Sequence, residues 1–110
     1  MWIGYNLWDL YNKAHTPLKW HKELFRYGKS LGIKVFSTPF DDTAVDFLEK
    51  LNCPIYKIAS FEIVDHELIR YAAETKKPLI ISTGMAKLDE ISEAFNVATK
   101  VKFGEIIISL

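Results

Sequence analysis

Tyr56-Lys57-Ile58-Ala59-Ser60-Phe61-Glu62 is a short apolar run that opens into polar groups. Ile55, Ile58 and the small Ala59 suit a strand inside a parallel sheet. Lys57, Ser60 and Glu62 would set an ammonium, a hydroxyl and a carboxylate at the mouth of that strand. A lysine in an apolar strand is costly to bury without a partner. Either it reaches solvent along its own apolar stem or it meets an anion.

The flanking sequence repeats one pattern. Thr16-Pro17 reads as a helix start, with Thr as cap and Pro at the first helical position. That helix is expected to run to Leu31, with Leu18, Leu24, Phe25 and Leu31 on its apolar stripe and Gly32 as its stop. Residues 33–37 read as a strand. Asp41 or Asp42 then caps a helix over 43–51 that faces inward through Val45, Leu48 and Leu51. After the strand at 55–59, Asp65 caps a helix over 66–75 with Leu68, Ile69, Ala72 and Ala73 inside. Strand 79–82 leads through Thr83-Gly84-Met85 to a helix over 87–100, with Leu88, Ile91, Phe95 and Ala98 at helical spacing. Gly104 ends that link, and residues 105–109 form another strand.

Strand–helix alternation with short apolar strands implies a parallel sheet covered by helices. Thr38, Ser60 and Ser82 stand 22 residues apart, twice over, each at the carboxyl end of a strand. Ligands bind at that edge in parallel α/β folds. Serine and threonine at strand ends also serve as turn or helix caps. Three in register beside Lys57 favour a site for an oxygen-rich anion, phosphate or carboxylate.

Composition narrows the class. Of the 110 residues, 49% are apolar and 25% charged, the balance of a soluble globular domain. Basic and acidic residues are equal in number, 14 each, and no run of Lys or Arg suggests a nucleic-acid footprint, so that class is set aside. No apolar run is long enough to span a bilayer, and no secretory signal opens the chain. Cys53 is the single cysteine; it pairs with nothing within the chain and fits a cytoplasmic setting.

Trp2, Tyr5, Trp8 and Tyr11, with a short helix over 7–11, need a surface to pack on, and the last strand runs to Leu110. About four parallel strands with intervening helices leave open edges. The expectation is therefore a partial (β/α)8 TIM barrel, with residues 1–110 forming part of that domain. The rival is an open doubly wound sheet, but Ser82-Thr83-Gly84-Met85 is not a dinucleotide fingerprint.

Phe36-Ser37-Thr38-Pro39-Phe40-Asp41, Tyr56-Lys57-Ile58-Ala59-Ser60-Phe61-Glu62 and Ile81-Ser82-Thr83-Gly84-Met85 together resemble the sialic acid synthase family. Leu10-Tyr11, Ala14-His15-Thr16-Pro17 and Phe61 are similar to its pseudaminic acid branch; the neuraminate and legionaminate branches are the alternatives. The resemblance implies condensation of phosphoenolpyruvate with 2,4-diacetamido-2,4,6-trideoxy-altropyranose to a nine-carbon 2-keto sugar acid, with release of phosphate.

It further implies that Lys57 contacts phosphoenolpyruvate and that Thr38, Ser60 and Ser82 bind its carboxylate and phosphate. Glu62 would lie by the reacting carbons, moving a proton or orienting the sugar. A divalent metal, manganese or magnesium, is implied, with ligands outside this chain. So are a homodimer and a C-terminal antifreeze-like domain, also outside it. His15, His21 and His66 have no ligand spacing. Two other readings stand beside this one. Lys57 would serve as the Schiff-base lysine of a class I aldolase barrel. Alternatively, the isolated chain is an inactive, self-associating piece.

Overall fold

The computed structural model describes residues 17–101 and 105–110. Expectations that fall on residues 1–16 and 102–104 lie outside the described residues. These are the aromatic opening, the helix over 7–11, His15, the Thr16 cap and the Gly104 break.

Helix α1 (Leu18–Ser30) begins after Pro17, which is the N-cap in extended backbone and not the first helical residue. Its carbonyl still accepts from the Trp20 N–H at 3.0 Å. The stripe differs from expectation: Leu18, Leu24 and Leu31 are exposed, and the helix docks through Phe25 and Gly28. A Cβ at Gly28 would overlap the Val35 side chain, so the missing side chain lets the helix approach the segment that follows it.

Helix α2 (Asp42–Lys50) starts where Asp41 accepts a hydrogen bond from the Ala44 N–H at 2.8 Å. Helix α3 (His66–Ala73) starts likewise, with Asp65 accepting from the Leu68 N–H at 3.1 Å. Each cap satisfies an amide that the first helical turn leaves unpaired. Helix α4 (Leu88–Thr99) buries Ala94 and Ala98, with Ile91 and Val97 packed beside them. Leu88 and Phe95, expected inside, are exposed. The small alanines occupy the contact line.

Strands β1 (Tyr56–Ile58), β2 (Leu79–Ser82) and β3 (Ile106–Ser109) form one parallel sheet in sequence order. Tyr56 pairs with Leu79 and Leu79 with Ile106. The expected fourth strand over 33–37 is reduced to one parallel bridge between Ser37 and Tyr56, with the Lys57 N–H donating to the Ser37 carbonyl at 3.4 Å. Ile33 and Phe36 are exposed, so burial adds little to hold that edge in a longer ladder.

One sheet face carries the helices. Tyr56, Ile58, Leu79 and Ile81 are buried against Val45, Leu48, Ile69 and Ala72, each large side chain contributing about 1.5–3 kcal/mol. Tyr56, not Ile55, fills the core at the start of β1. Alternation turns the other residues to the opposite face, where Lys57, Ile80 and Ile107 form one row across the three strands.

Candidate active site

The carboxyl ends of the strands gather the residues singled out above. Lys57 lies one residue before the end of β1 and is half-buried on the helix-free face. Ser82, two residues beyond Ile80, shares that face at the end of β2, in register with Ser109. Thr38 follows the bridge residue Ser37, so alternation places it on the Lys57 side. Ser60 opens a 3-10 turn, Ser60–Glu62, directly after β1.

Four serines and threonines elsewhere among the described residues form local caps. Ser30, Thr75 and Thr99 donate to carbonyls three residues back, and Thr43 donates to Asp41. No such hydrogen bond engages the side chains of Thr38, Ser60 or Ser82 among the described residues, nor those of Ser37, Ser92 or Ser109. Lys57 likewise has no carboxylate within ion-pair distance there. Glu62 Oε2 is the single buried side-chain oxygen or nitrogen without a hydrogen-bond partner among the described residues. A buried acceptor left bare costs about 1–3 kcal/mol, and such groups are few in folded proteins.

Two residues not assigned a role from sequence shape this edge. Gly84 has φ +53°, and a Cβ there would lie 2.6 Å from the Ser60 Cβ and 2.9 Å from its Oγ. The loops after β1 and β2 therefore touch through a position where only hydrogen fits. Thr83 is buried, and both its N–H (3.0 Å) and its hydroxyl (3.2 Å) donate to the Ser109 carbonyl. The signal for Gly84 was present in Ser82-Thr83-Gly84-Met85: a glycine two residues after the strand-end Ser82.

At the opposite end of β1 a second polar group is structural. The Tyr56 hydroxyl donates to Glu49 Oε1 at 2.6 Å, and Lys77 Nζ meets the same oxygen at 2.9 Å. Burial first, then the Glu49 hydrogen bond and charge, push the Tyr56 phenol far up from its ordinary value. Cys53 is buried beside it, its thiol donating to the Ile55 carbonyl at 3.1 Å, and burial raises its pKa. A cavity of about 590 Å³ also opens at this end, edged by Lys22, Arg26, Lys29, Lys34 and Lys50. It is remote in the strand direction from Ser60 and Ser82 and presents no hydroxyl or carboxylate side chain.

Among the described residues, no three His, Cys, Asp or Glu side chains come together as a metal site. His21 sits against Phe25 and Phe47, and its ring nitrogen Nδ1 lies 3.2 Å from the Pro17 carbonyl. His66 Nε2 lies 3.9 Å from Glu93. No helix of the described residues is long and apolar enough to cross a membrane.

The parallel strand–helix order and the polar edge at the strand ends define part of a (β/α)8 barrel. Its backbone superposes on N-acetylneuraminic acid (sialic acid) synthetase from Leptospira borgpetersenii, solved in complex with citrate, with a TM-score of 0.85 at 28% identity. That match covers 96% of this chain and 38% of the other. The NeuB family model matches residues 1–109, and the chain belongs to the NeuB family. It is 50% identical over 101 residues to pseudaminic acid synthase of Helicobacter pylori, covering 92% of this chain and 30% of that protein. It is 44% identical over 92 residues to N,N'-diacetyllegionaminic acid synthase of Campylobacter jejuni, covering 84% of this chain and 28% of that protein. The chain thus spans about 30% of the length of these curated relatives.

Proposed function

We propose that this chain forms the phosphoenolpyruvate-binding wall of a pseudaminic acid synthase. The carrying observation is the buried, unpartnered Glu62 oxygen at an edge where the side chains of Lys57, Thr38, Ser60 and Ser82 make no internal polar contacts among the described residues. Phosphoenolpyruvate brings two anionic groups, a carboxylate and a phosphate. An ammonium and three hydroxyls match them with charge-assisted hydrogen bonds. The identity to the Helicobacter pylori relative supports the choice of sugar, 2,4-diacetamido-2,4,6-trideoxy-altropyranose.

In the reaction, the methylene carbon of phosphoenolpyruvate attacks the aldehyde carbon of the open-chain sugar. The carbonyl oxygen takes up a proton and a carbon–carbon bond forms. Water adds at the carbon that bears the phosphate, and the bond to the phosphate oxygen breaks. The products are a nine-carbon 2-keto acid and inorganic phosphate. Lys57 and the hydroxyls hold the two anionic groups so that the methylene carbon faces the sugar. Glu62, with one oxygen bare and buried, accepts a hydrogen bond from the sugar or the attacking water and is placed to move a proton.

A divalent ion would supply polarisation of the aldehyde, but this chain's described residues do not form its site. The full synthase is proposed as a cytoplasmic homodimer. The test is phosphate release from phosphoenolpyruvate by a complete barrel carrying this segment, with the altrose-derived sugar and with the neuraminate and legionaminate precursors. Fastest turnover with the altrose-derived sugar supports the reading. Preference for either other precursor moves the chain to that branch.

A further inference from the structure

The cavity of about 590 Å³ at the amino end of β1 has no part in the proposed reaction. Every residue lining it falls between 22 and 54, so its walls are α1, the segment after it, the end of α2 and the turn that follows. Those walls are held in place. The Ile33 N–H donates to the Gly28 carbonyl at 2.9 Å, and the Cys53 N–H donates to the Leu48 carbonyl at 3.1 Å. His21 of α1 meets Phe47 of α2 edge-on, ring centroids 5.5 Å apart, which sets the gap between the two helices. Lys22, Arg26, Lys29, Lys34 and Lys50 line the cavity, and no acidic side chain among the described residues does. Lys22, Arg26 and Lys29 are spaced four and three apart, so one face of α1 gathers them. Arg26 pairs with Glu23 at 2.7 Å, while the four lysines have no ion pair among the described residues. Helices α1 and α2 both end here, and each carboxyl end carries about half a negative charge. That accounts for Lys29 and Lys50, which stand in the last turns. It does not account for Lys22, Arg26 and Lys34. The two helix ends and Glu23 together offset about two of the five positive charges, so cations remain in excess.

We propose that this cavity binds an organic polyphosphate of nucleotide size, at the end of the sheet opposite to Lys57. The volume lies within the range of small-molecule sites, about 300–1,000 Å³. The remaining lining is apolar: Phe25, Ile33, Val35, Leu51 and Pro54, with Asn52 the one uncharged polar side chain. An inorganic anion would leave that floor without contact. An apolar molecule would leave the cations unpaired. A nucleoside triphosphate carries both halves, a flat base for the floor and several negative charges for the lysines and Arg26. The proposal goes beyond the synthase reading and does not rest on it.

Equilibrium dialysis of ATP against a complete barrel carrying this segment, in metal-free buffer, tests it. ATP is expected to bind, more weakly as salt is raised. Inorganic triphosphate, which has the charge without the base, is expected to bind about tenfold more weakly or worse. Lys22→Gln and Lys34→Gln, singly and then together, replace exposed side chains. The pair should lower ATP affinity by about tenfold or more, and Lys57→Met should leave it unchanged. Lys29→Gln, on the same face of α1, is the second variant and should weaken binding likewise. Absence of ATP binding up to millimolar concentration overturns the proposal, as does equal affinity in the lysine variants. Loss of binding in Lys57→Met alone would put ATP at the strand ends and overturn it too. Equal binding of inorganic triphosphate would remove the nucleotide assignment. Binding is read without turnover, so failure here leaves the synthase reading standing, and a barrel that releases no phosphate leaves this site standing.

Discussion

Gly84 lies against Ser60 so closely that a Cβ on Gly84 would come within 2.6 Å of the Ser60 Cβ. The contact ties the loop after β2 to the turn after β1, and Gly84 adopts a left-handed φ of +53°. Gly84→Ala therefore meets both a clash and a strained backbone. The expected cost is about 1–3 kcal/mol of stability. Ser60 must also shift, which raises the KM for phosphoenolpyruvate. Thermal unfolding and steady-state kinetics on the same variant check both halves. A variant with unchanged melting and unchanged KM would show that this approach has no consequence.

Lys57 stands in the row Lys57–Ile80–Ile107 on the helix-free face, away from the core residues Tyr56 and Ile58. Lys57→Met should leave the fold intact and lower kcat/KM for phosphoenolpyruvate by about tenfold to a hundredfold, the worth of a hydrogen bond to a charged group. Borohydride in the presence of a carbonyl substrate should trap nothing on Lys57. A trapped adduct would move the chain to the Schiff-base aldolase class.

Tyr56 and Glu49 make a pH-dependent contribution. The folded pKa of Tyr56 is raised above its ordinary 10.0 by burial and by Glu49. A raised pKa means the protonated phenol is favoured in the fold, so this stability is fully present below pH 10 and is lost as pH rises beyond it. In Tyr56→Phe the fall of stability above pH 10 should be shallower than in the parent. At neutral pH the loss of the hydrogen bond costs about 0.5–1.5 kcal/mol. Denaturant titrations at a series of pH values measure both, and parallel curves above pH 10 would exclude the contribution.

The caps are separable from the site. Asp65→Ala removes the acceptor of the Leu68 N–H and should cost about 1 kcal/mol, with little effect on kcat. Asp41→Ala should do the same for α2. Its pKa is lowered by the Thr43 hydroxyl and the Ala44 N–H, so its contribution fades as pH falls through the carboxylate range. Unfolding midpoints at pH 7 and below pH 4 test the sign.

Much of this architecture was legible because its signals are local. Asp41 and Asp65 cap where short acidic side chains precede apolar periodicity, and Leu79 to Ser82 is a strand bounded by Pro78 and a glycine turn. Equal strand–helix units made the register of Thr38, Ser60 and Ser82 visible as a spacing. What was not legible depends on neighbours. Periodicity favoured Leu88 and Phe95 over Ala94 because it weighs size, whereas the helix contact selects small residues. The segment at Ser37 has strand composition, but a single bridge is all its exposed edge supports. The approach of Gly84 to Ser60 arises from a tight turn meeting another loop, and neither it nor the bare oxygen of Glu62 is encoded in residue spacing.

The central claim is that the strand ends bind phosphoenolpyruvate. A crystal structure of a complete barrel carrying this segment, grown with phosphoenolpyruvate, tests it most directly. The account predicts the phosphate and carboxylate within about 2.7–3.2 Å of Lys57 Nζ and the hydroxyls of Thr38, Ser60 and Ser82. Phosphoenolpyruvate seated instead among Lys22, Arg26, Lys29 and Lys34 at the opposite end, with the Lys57 edge empty, would contradict it.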